Sequence, residues 1–218
     1  MKYLILILAL IVGLFSGCAS GGPRTVALQT KATRYAAQSL RETGELRVSI
    51  TDQRADRSID AILSQAVATS VEQEIIQALT QSKVVGMKEG VGTKITITGE
   101  LTKLEWLVPG YQAMLKKVFV ASFLTGGLGG VAYGSTETPV IGNVALKIRV
   151  SLDGREILVR EIVGTHEEKM AKLKCDTLTT KSTVTGLALS DAVEKIVREI
   201  DVALASSGDF PSESTVKI

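Results

Sequence analysis

Histidine is nearly missing from this 218-residue chain; the single example is His166. Zinc asks for three or four nitrogen, sulfur or carboxylate ligands. Beyond its neighbours Glu167 and Glu168, His166 has only Cys175 and Asp176 nearby in sequence, so no metal and no other cofactor is expected. Aromatic residues make up 4% of the chain, and 25 Lys plus Arg against 23 Asp plus Glu leave a net charge of +2. Nucleic-acid binding needs a basic surface and, for single strands, stacking rings. Neither is present, and nucleic acid is set aside as a partner. The nucleophile elbow G-x-S-x-G, the phosphate loop G-x-x-x-x-G-K-[ST] and the dinucleotide fingerprint are also absent. Ser214-Thr215-Val216-Lys217 fits S-x-x-K by spelling, but it lies at the chain terminus, where no scaffold positions a base. No catalytic residue is assigned, and the chain does not read as an enzyme.

What the sequence does contain is an apolar start. Lys2 precedes an almost unbroken aliphatic run over 4–14, and Ser16 and Gly17 stand directly before Cys18. This is the layout of a secretory signal. The run is about a dozen residues, whereas a helix needs about 20 to cross the hydrocarbon core, so a permanent anchor is the weaker alternative. An ordinary cleaved signal is the other.

Phe15-Ser16-Gly17-Cys18 resembles the lipobox of bacterial lipoproteins, with Phe15 standing where Leu is commonest. The resemblance implies that residues 1–17 are removed and that Cys18 carries a thioether-linked diacylglycerol and an N-acyl chain. Chains buried at about 0.8 kcal/mol per methylene make such a tether stable. By the family's sorting rule, Ala19 rather than Asp after the cysteine implies the outer membrane, with the domain facing the periplasm. Ser20-Gly21-Gly22-Pro23 reads as a flexible spacer. With Cys18 acylated, Cys175 has no partner in the chain. It is either a buried inert thiol or half of a disulfide between chains.

The remaining length suits one domain. Residues 18–44 read as the tether plus an edge strand at 25–29, with a mildly helical stretch over 31–42. Leu46, Val48 and Ile50 alternate as a half-buried strand. After the charged turn 52–57, Ile59, Leu63, Val67, Val71, Ile75 and Leu79 recur every four residues, which predicts a five-turn amphipathic helix capped by Ser58 or Asp60. Charges of the Asp52 to Arg57 kind usually belong to a solvated turn. Residues 84–87 predict a short strand, and alternation over 94–101 and again over 144–152 predicts two more. Asp153-Gly154 predicts a tight hairpin to a strand over 157–163. Residues 176–185 read as a loop or exposed strand. Asp191 and Glu194 then suit a capping box for a closing helix that Gly208 ends, with 209–218 a loose tail.

The expected fold is therefore α+β: a mostly antiparallel or mixed sheet with two long amphipathic helices on one face, spanning 45–208. The run from Arg47 to Arg57, the helix containing Val71-Glu72-Gln73, the hairpin at Gly154 and the closing helix from Asp191 resemble the YajG-type family of uncharacterised outer-membrane lipoproteins. That resemblance implies location and fold, and no catalytic set.

An apolar, Gly-rich insertion at 106–142 lies outside the resemblance. Residues 118–134 carry no charge, and Gly126, Gly130 and Gly134 repeat at four-residue spacing, with Phe119 and Phe123 before them. Small residues on one helical face permit close helix approach in lipid. One expectation is thus a membrane or oligomer contact through these five residues; the other is a core segment followed by a glycine loop. The leading functional expectation is a non-enzymatic lipoprotein whose domain binds a protein or envelope component. Its alternative is a structural subunit of a membrane-embedded or secretory assembly that uses 118–134 for membrane insertion or oligomerisation, which also allows a homo-oligomer.

Overall fold

The computed structural model of the chain describes residues 25–125 and 128–208. The signal segment 1–17, the lipidation site Cys18 and the tail 209–218 lie outside the described residues.

Alternation builds the central sheet. β2 (Glu45–Asp52), β4 (Lys94–Leu107), β5 (Glu137–Leu152) and β6 (Arg155–Ala171) pair in the order β2-β4-β5-β6, and a parallel pair β1 (Arg41–Thr43) and β3 (Val85–Met87) sits apart. β2 runs parallel to β4, and the other neighbours are antiparallel. Asp153 and Gly154 both take positive φ, 50° and 81°, as the two-residue turn between β5 and β6 requires. Side chains two apart share a face. Ile95 and Ile97 of β4 and Val144, Leu146, Ile148, Val150 and Leu152 of β5 therefore point together, and all are buried.

Two helices cover that face, α1 (Val67–Gln81) and α4 (Leu178–Ser207). Ile75 and Leu79 of α1 and Leu189, Ile196 and Ile200 of α4 are completely buried against the strands. Each such side chain contributes about 1.5–3 kcal/mol by leaving water. α4 lies close to the sheet because Gly142 and Gly164 sit beneath it. A Cβ on Gly142 would run into the Val184 carbonyl, and one on Gly164 into the Ala188 carbonyl and the Ala192 side chain. The α+β architecture with two long helices on one face of a mixed sheet is as expected.

Several boundaries differ from the sequence reading. α1 begins at Val67, eight residues after Ile59. Residues 60–62 form one 3-10 turn, Ala66 is extended, and neither Ser58 nor Asp60 caps the helix. Leu63 is held in a parallel bridge to Val26, and the Asp60 carboxylate is occupied by Arg54. Ile59 and Leu63 stay buried at helical spacing without being helical. Val26 makes only that bridge, so 25–29 is not an edge strand.

The 31–42 stretch is not helical either. It lies extended along α4, with Thr33, Tyr35 and Ala37 half-buried in alternation, and ends in β1. The Lys31 N–H donates to Ser190 Oγ at 2.8 Å and the Ala37 N–H to the Ser82 carbonyl at 2.8 Å.

The closing helix starts thirteen residues before Asp191. Thr177 is its N-cap, its hydroxyl accepting from the Thr180 N–H at 3.2 Å, and Asp191 sits mid-helix. There the Asp191 carboxylate accepts from the Thr165 N–H at 3.0 Å and pairs with Lys195, so it ties α4 to β6 instead of capping. The Ser- and Thr-rich run is helical because its polar groups find partners. Ser182 donates to the Ala27 carbonyl, and Thr185 back-bonds to Lys181 within the helix. Gly208 does end the helix, in the left-handed conformation at φ 68°.

Candidate functional site

β4, β5 and β6 run on past the end of β2, and a helical hairpin links β4 to β5 there. It consists of α2 (Tyr111–Leu124) and α3 (Leu128–Gly134). Gly110, left-handed at φ 70°, turns the chain into α2, and its carbonyl accepts from the Met114 N–H at 2.9 Å. The strands thus occupy more of the 106–142 insertion than its apolar composition indicated, since 106–107 and 137–142 belong to β4 and β5.

The root of the hairpin is a separate small core. Val108, Met114, Val140, Cys175 and Val184 are buried together, with Trp106, Tyr111, Tyr133 and Met170 packed around them. Trp106 and Tyr111 meet edge-to-face, with centroids 5.6 Å apart. Lys181 lies 4.6 Å from the Trp106 ring centre and 2.6 Å from Asp176, and Asp176 also accepts from Tyr111 Oη at 2.6 Å. Burial, and then the hydrogen bond to Asp176, push the Tyr111 phenol up to about 12. Burial alone would raise Asp176, but the bonds from Lys181 and Tyr111 outweigh it and hold the carboxyl below its ordinary value. Both groups keep fixed protonation states near neutral pH, which suits a structural lock rather than proton transfer.

Cys175 is fully buried, its thiol donating to the Lys172 carbonyl at 2.9 Å, and burial pushes its pKa up. A buried protonated thiol is a poor nucleophile and is placed to act as a small hydrophobe. His166 is half-buried in a shallow groove with Arg34, Ser190, Asp191 and Glu194. Among the described residues no group of three or more His, Cys, Asp or Glu side chains converges on one point.

The distal surface of the hairpin is different. Phe119 is 73% exposed, Phe123 81%, Leu124 74% and Leu128 79%, with Leu115 and Val120 half-open beside them. Leu115, Phe119 and Phe123 lie at i, i+4 spacing, so they form one apolar row along α2. These rings are not in the core, which removes the reading of 118–134 as a core segment with a loop. Gly134 is buried under the Leu173 side chain, and its carbonyl accepts from the Leu173 N–H at 3.1 Å; it docks the hairpin onto the turn after β6. Gly126 lies outside the described residues, and Gly130 falls on the backbone of α3. Among the described residues no helix is long and apolar enough to cross a membrane.

Two charged clusters lie elsewhere. Arg54 is buried in the 52–57 turn. It reaches Asp52 through Nε at 2.9 Å and Nη2 at 2.7 Å, and Asp60 through Nη2 at 2.8 Å. Arg54 holds the Asp52 carboxyl below its ordinary value. This charged turn is therefore a clamp between β2 and the 3-10 turn. At the far end of α4, Asp201 accepts from both Arg41 and Tyr35, and Arg41 and Asp201 are almost wholly buried. A cavity of about 140 Å³ between the N-terminal segment and α1 is lined by Leu28, Thr30, Gln73, Glu74 and Gln77; burial pushes Glu74 up there.

No family model matches the chain, and no curated protein sequence does. Among solved structures, a Xanthomonas campestris protein of family DUF330 superposes with a TM-score of 0.55 over 84% of this chain and 98% of its own, at 11% identity. The chain has the fold of that protein. A Chlamydia trachomatis hypothetical protein (TM-score 0.39, 9% identity, 75% of this chain and 99% of its own) overlaps less closely. So does a minor lipoprotein of Acinetobacter baumannii (TM-score 0.38, 12% identity, 73% of this chain and 93% of its own). At such identities the likeness concerns the course of the backbone alone.

The lock at the hairpin root was not legible in the sequence. Trp106 and Tyr111 stand some 65 residues or more from Asp176 and Lys181, and only the pairing of β4 with β5 and the start of α4 bring them together. Leu124 and Leu128, now at the exposed tip, belonged to an uncharged stretch whose composition did not distinguish core from surface.

Proposed function

We propose that the chain is a lipid-anchored, non-catalytic lipoprotein of a bacterial outer membrane, whose domain binds a protein or another envelope component on the periplasmic side. The observation that carries this reading is the sequence Phe15-Ser16-Gly17-Cys18 at the end of an apolar run. The geometry is compatible with it. Residues 27–29 are pinned along the N-terminal end of α4 by Ser182 and Thr183, so the described chain begins at that end of the domain. Asp176 is held by Lys181 and Tyr111, and Arg54 by Asp52 and Asp60, which supports a binding surface over a reaction centre. Metabolic labelling with palmitate tests the tether: the wild-type chain incorporates label, Cys18→Ser does not, and globomycin causes the precursor to accumulate. Failure of the wild type to incorporate label refutes it.

The alternative is a subunit of a larger assembly, in which copies of the chain pack through the hairpin. The exposed row Leu115, Phe119 and Phe123 favours it. Sedimentation velocity of the detergent-extracted protein separates the two, because an assembly subunit runs as a discrete multimer that Phe119→Ser/Phe123→Ser reduces to the monomer.

A further inference from the structure

We infer, resting on the lipid tether proposed above, that the tip of the α2–α3 hairpin docks into the surface of the same bilayer that holds Cys18, with Phe119, Phe123, Leu124 and Leu128 among the acyl chains and Lys116 and Lys117 at the level of the headgroups. Three observations point to lipid as the occupant.

The first is placement. The N-terminal segment runs alongside α4, with Lys31 at Ser190, residues 27–29 at Ser182 and Thr183, and Val26 further back at Leu63. The described segment thus begins at the N-terminal end of α4. The hairpin stands at that end too: Tyr111 bonds Asp176, Gly134 packs on Leu173, and Val184 is buried in the hairpin's own small core.

Reach is the second. Cys18 lies seven positions before Thr25, a stretch that can span at most about 25 Å. The bilayer surface is therefore held within that distance of the hairpin's end of the domain, and a 14-residue helix such as α2 is itself about 21 Å long.

The third is chemistry. No carboxylate occurs anywhere from Val108 to Thr136. Lys116 and Lys117 are exposed and lie seven residues, about 10 Å along the helix, behind Phe123 and Leu124. Interfacial helices sink apolar side chains about 5–10 Å into the headgroup and acyl boundary with cations nearer the water, and a hairpin tip entering end-on puts Phe123 and Leu124 below Lys116 and Lys117 in the same order. Lys172 and Lys174 add positive charge at the hairpin root. No helix among the described residues is both long and apolar enough to cross, so the contact is a shallow one made from the side of the tether.

The test uses the full lipidated chain reconstituted in vesicles of phosphatidylethanolamine and phosphatidylglycerol. An environment-sensitive fluorophore is placed at Phe123→Cys and, as a control, at Thr98→Cys on the open face of the sheet, with Cys175→Ser as a second background. The expected result is blue-shifted emission at position 123, quenched several-fold more by spin-labelled lipids than by aqueous iodide, and the reverse at position 98. Equal iodide quenching at the two positions overturns the inference. Protection from both quenchers that grows with protein density also overturns it, because the hairpin is then covered by a second copy. The acyl mass on Cys18 is read from the same sample, so loss of the tether and loss of hairpin docking are separate outcomes.

Discussion

The extended segment that leads into β1 is fastened to the far end of α4 at Asp201, and replacing that residue with alanine tests the strength of that attachment. The carboxylate accepts from Arg41 and from Tyr35, and the Arg41 and Asp201 side chains are 8% and 10% exposed. Removing the acid leaves a guanidinium buried without its counter-charge, which costs about 3–5 kcal/mol, most of it the desolvation of the stranded charge. For a domain of this size each kcal/mol moves the melting temperature by about 2–4 °C, so Asp201→Ala is expected to melt about 6–20 °C lower. The exposed pair Arg47 and Glu45, with side chains 66% and 41% open, is the control; breaking it costs under about 1 kcal/mol. Replacing both buried partners, as in Arg41→Met/Asp201→Leu, removes the stranded charge and is expected to recover most of the loss. Urea unfolding and calorimetry of the three variants measure this. A loss under about 1 kcal/mol for Asp201→Ala, or a double variant no better than the single, would refute the buried pair as the fastening.

Gly164→Val drives a side chain into the Ala188 carbonyl and Ala192, lifts α4 off β6, and is expected to cost more than the about 1–3 kcal/mol usual for overpacking, because backbone must move; urea midpoints report it. The Asp52 carboxyl is held below its ordinary value of 3.8 by Arg54. The folded state thus binds that proton more weakly than the unfolded chain does, so its contribution is complete above the ordinary value and fades as pH falls through the depressed one. Asp52→Asn should accordingly flatten the fall in stability on acidification below about pH 4, an effect read from urea unfolding at graded pH. Cys175 should react with a thiol reagent only on unfolding; labelling of the native protein at the rate of a free thiol would contradict its burial.

Legibility followed the range of the interactions. β2, β4 and the β5–β6 hairpin were readable because alternation and the Asp153-Gly154 turn are local, and both positive φ angles stand where those two residues predict. The first turns of α4 were not readable. Thr180, Ser182 and Thr185 have poor helix propensity, and Ser182 is satisfied by a carbonyl 155 residues away. The spacing of Ile59 and Leu63 was sound as a statement about burial and misleading about the helix, because a bridge from Val26 to Leu63 displaced the helical hydrogen bonds. Asp191 has the chemistry of a capping residue, yet it serves a backbone N–H on β6 instead of one on its own helix. At the candidate site the apolar character of 118–134 was plain, while its division into two helices with outward phenylalanines depended on Trp106, Tyr111, Asp176 and Lys181 anchoring the root.

The proposed location of the protein depends on acyl chains on the sulfur and amino group of Cys18. Intact mass spectrometry of the protein extracted from the membrane fraction measures them directly. The mature chain is predicted to begin at Cys18 and to carry the added mass of a diacylglyceryl group and one amide-linked acyl chain. A chain that retains residues 1–17, or one with an unmodified thiol at position 18, would contradict it.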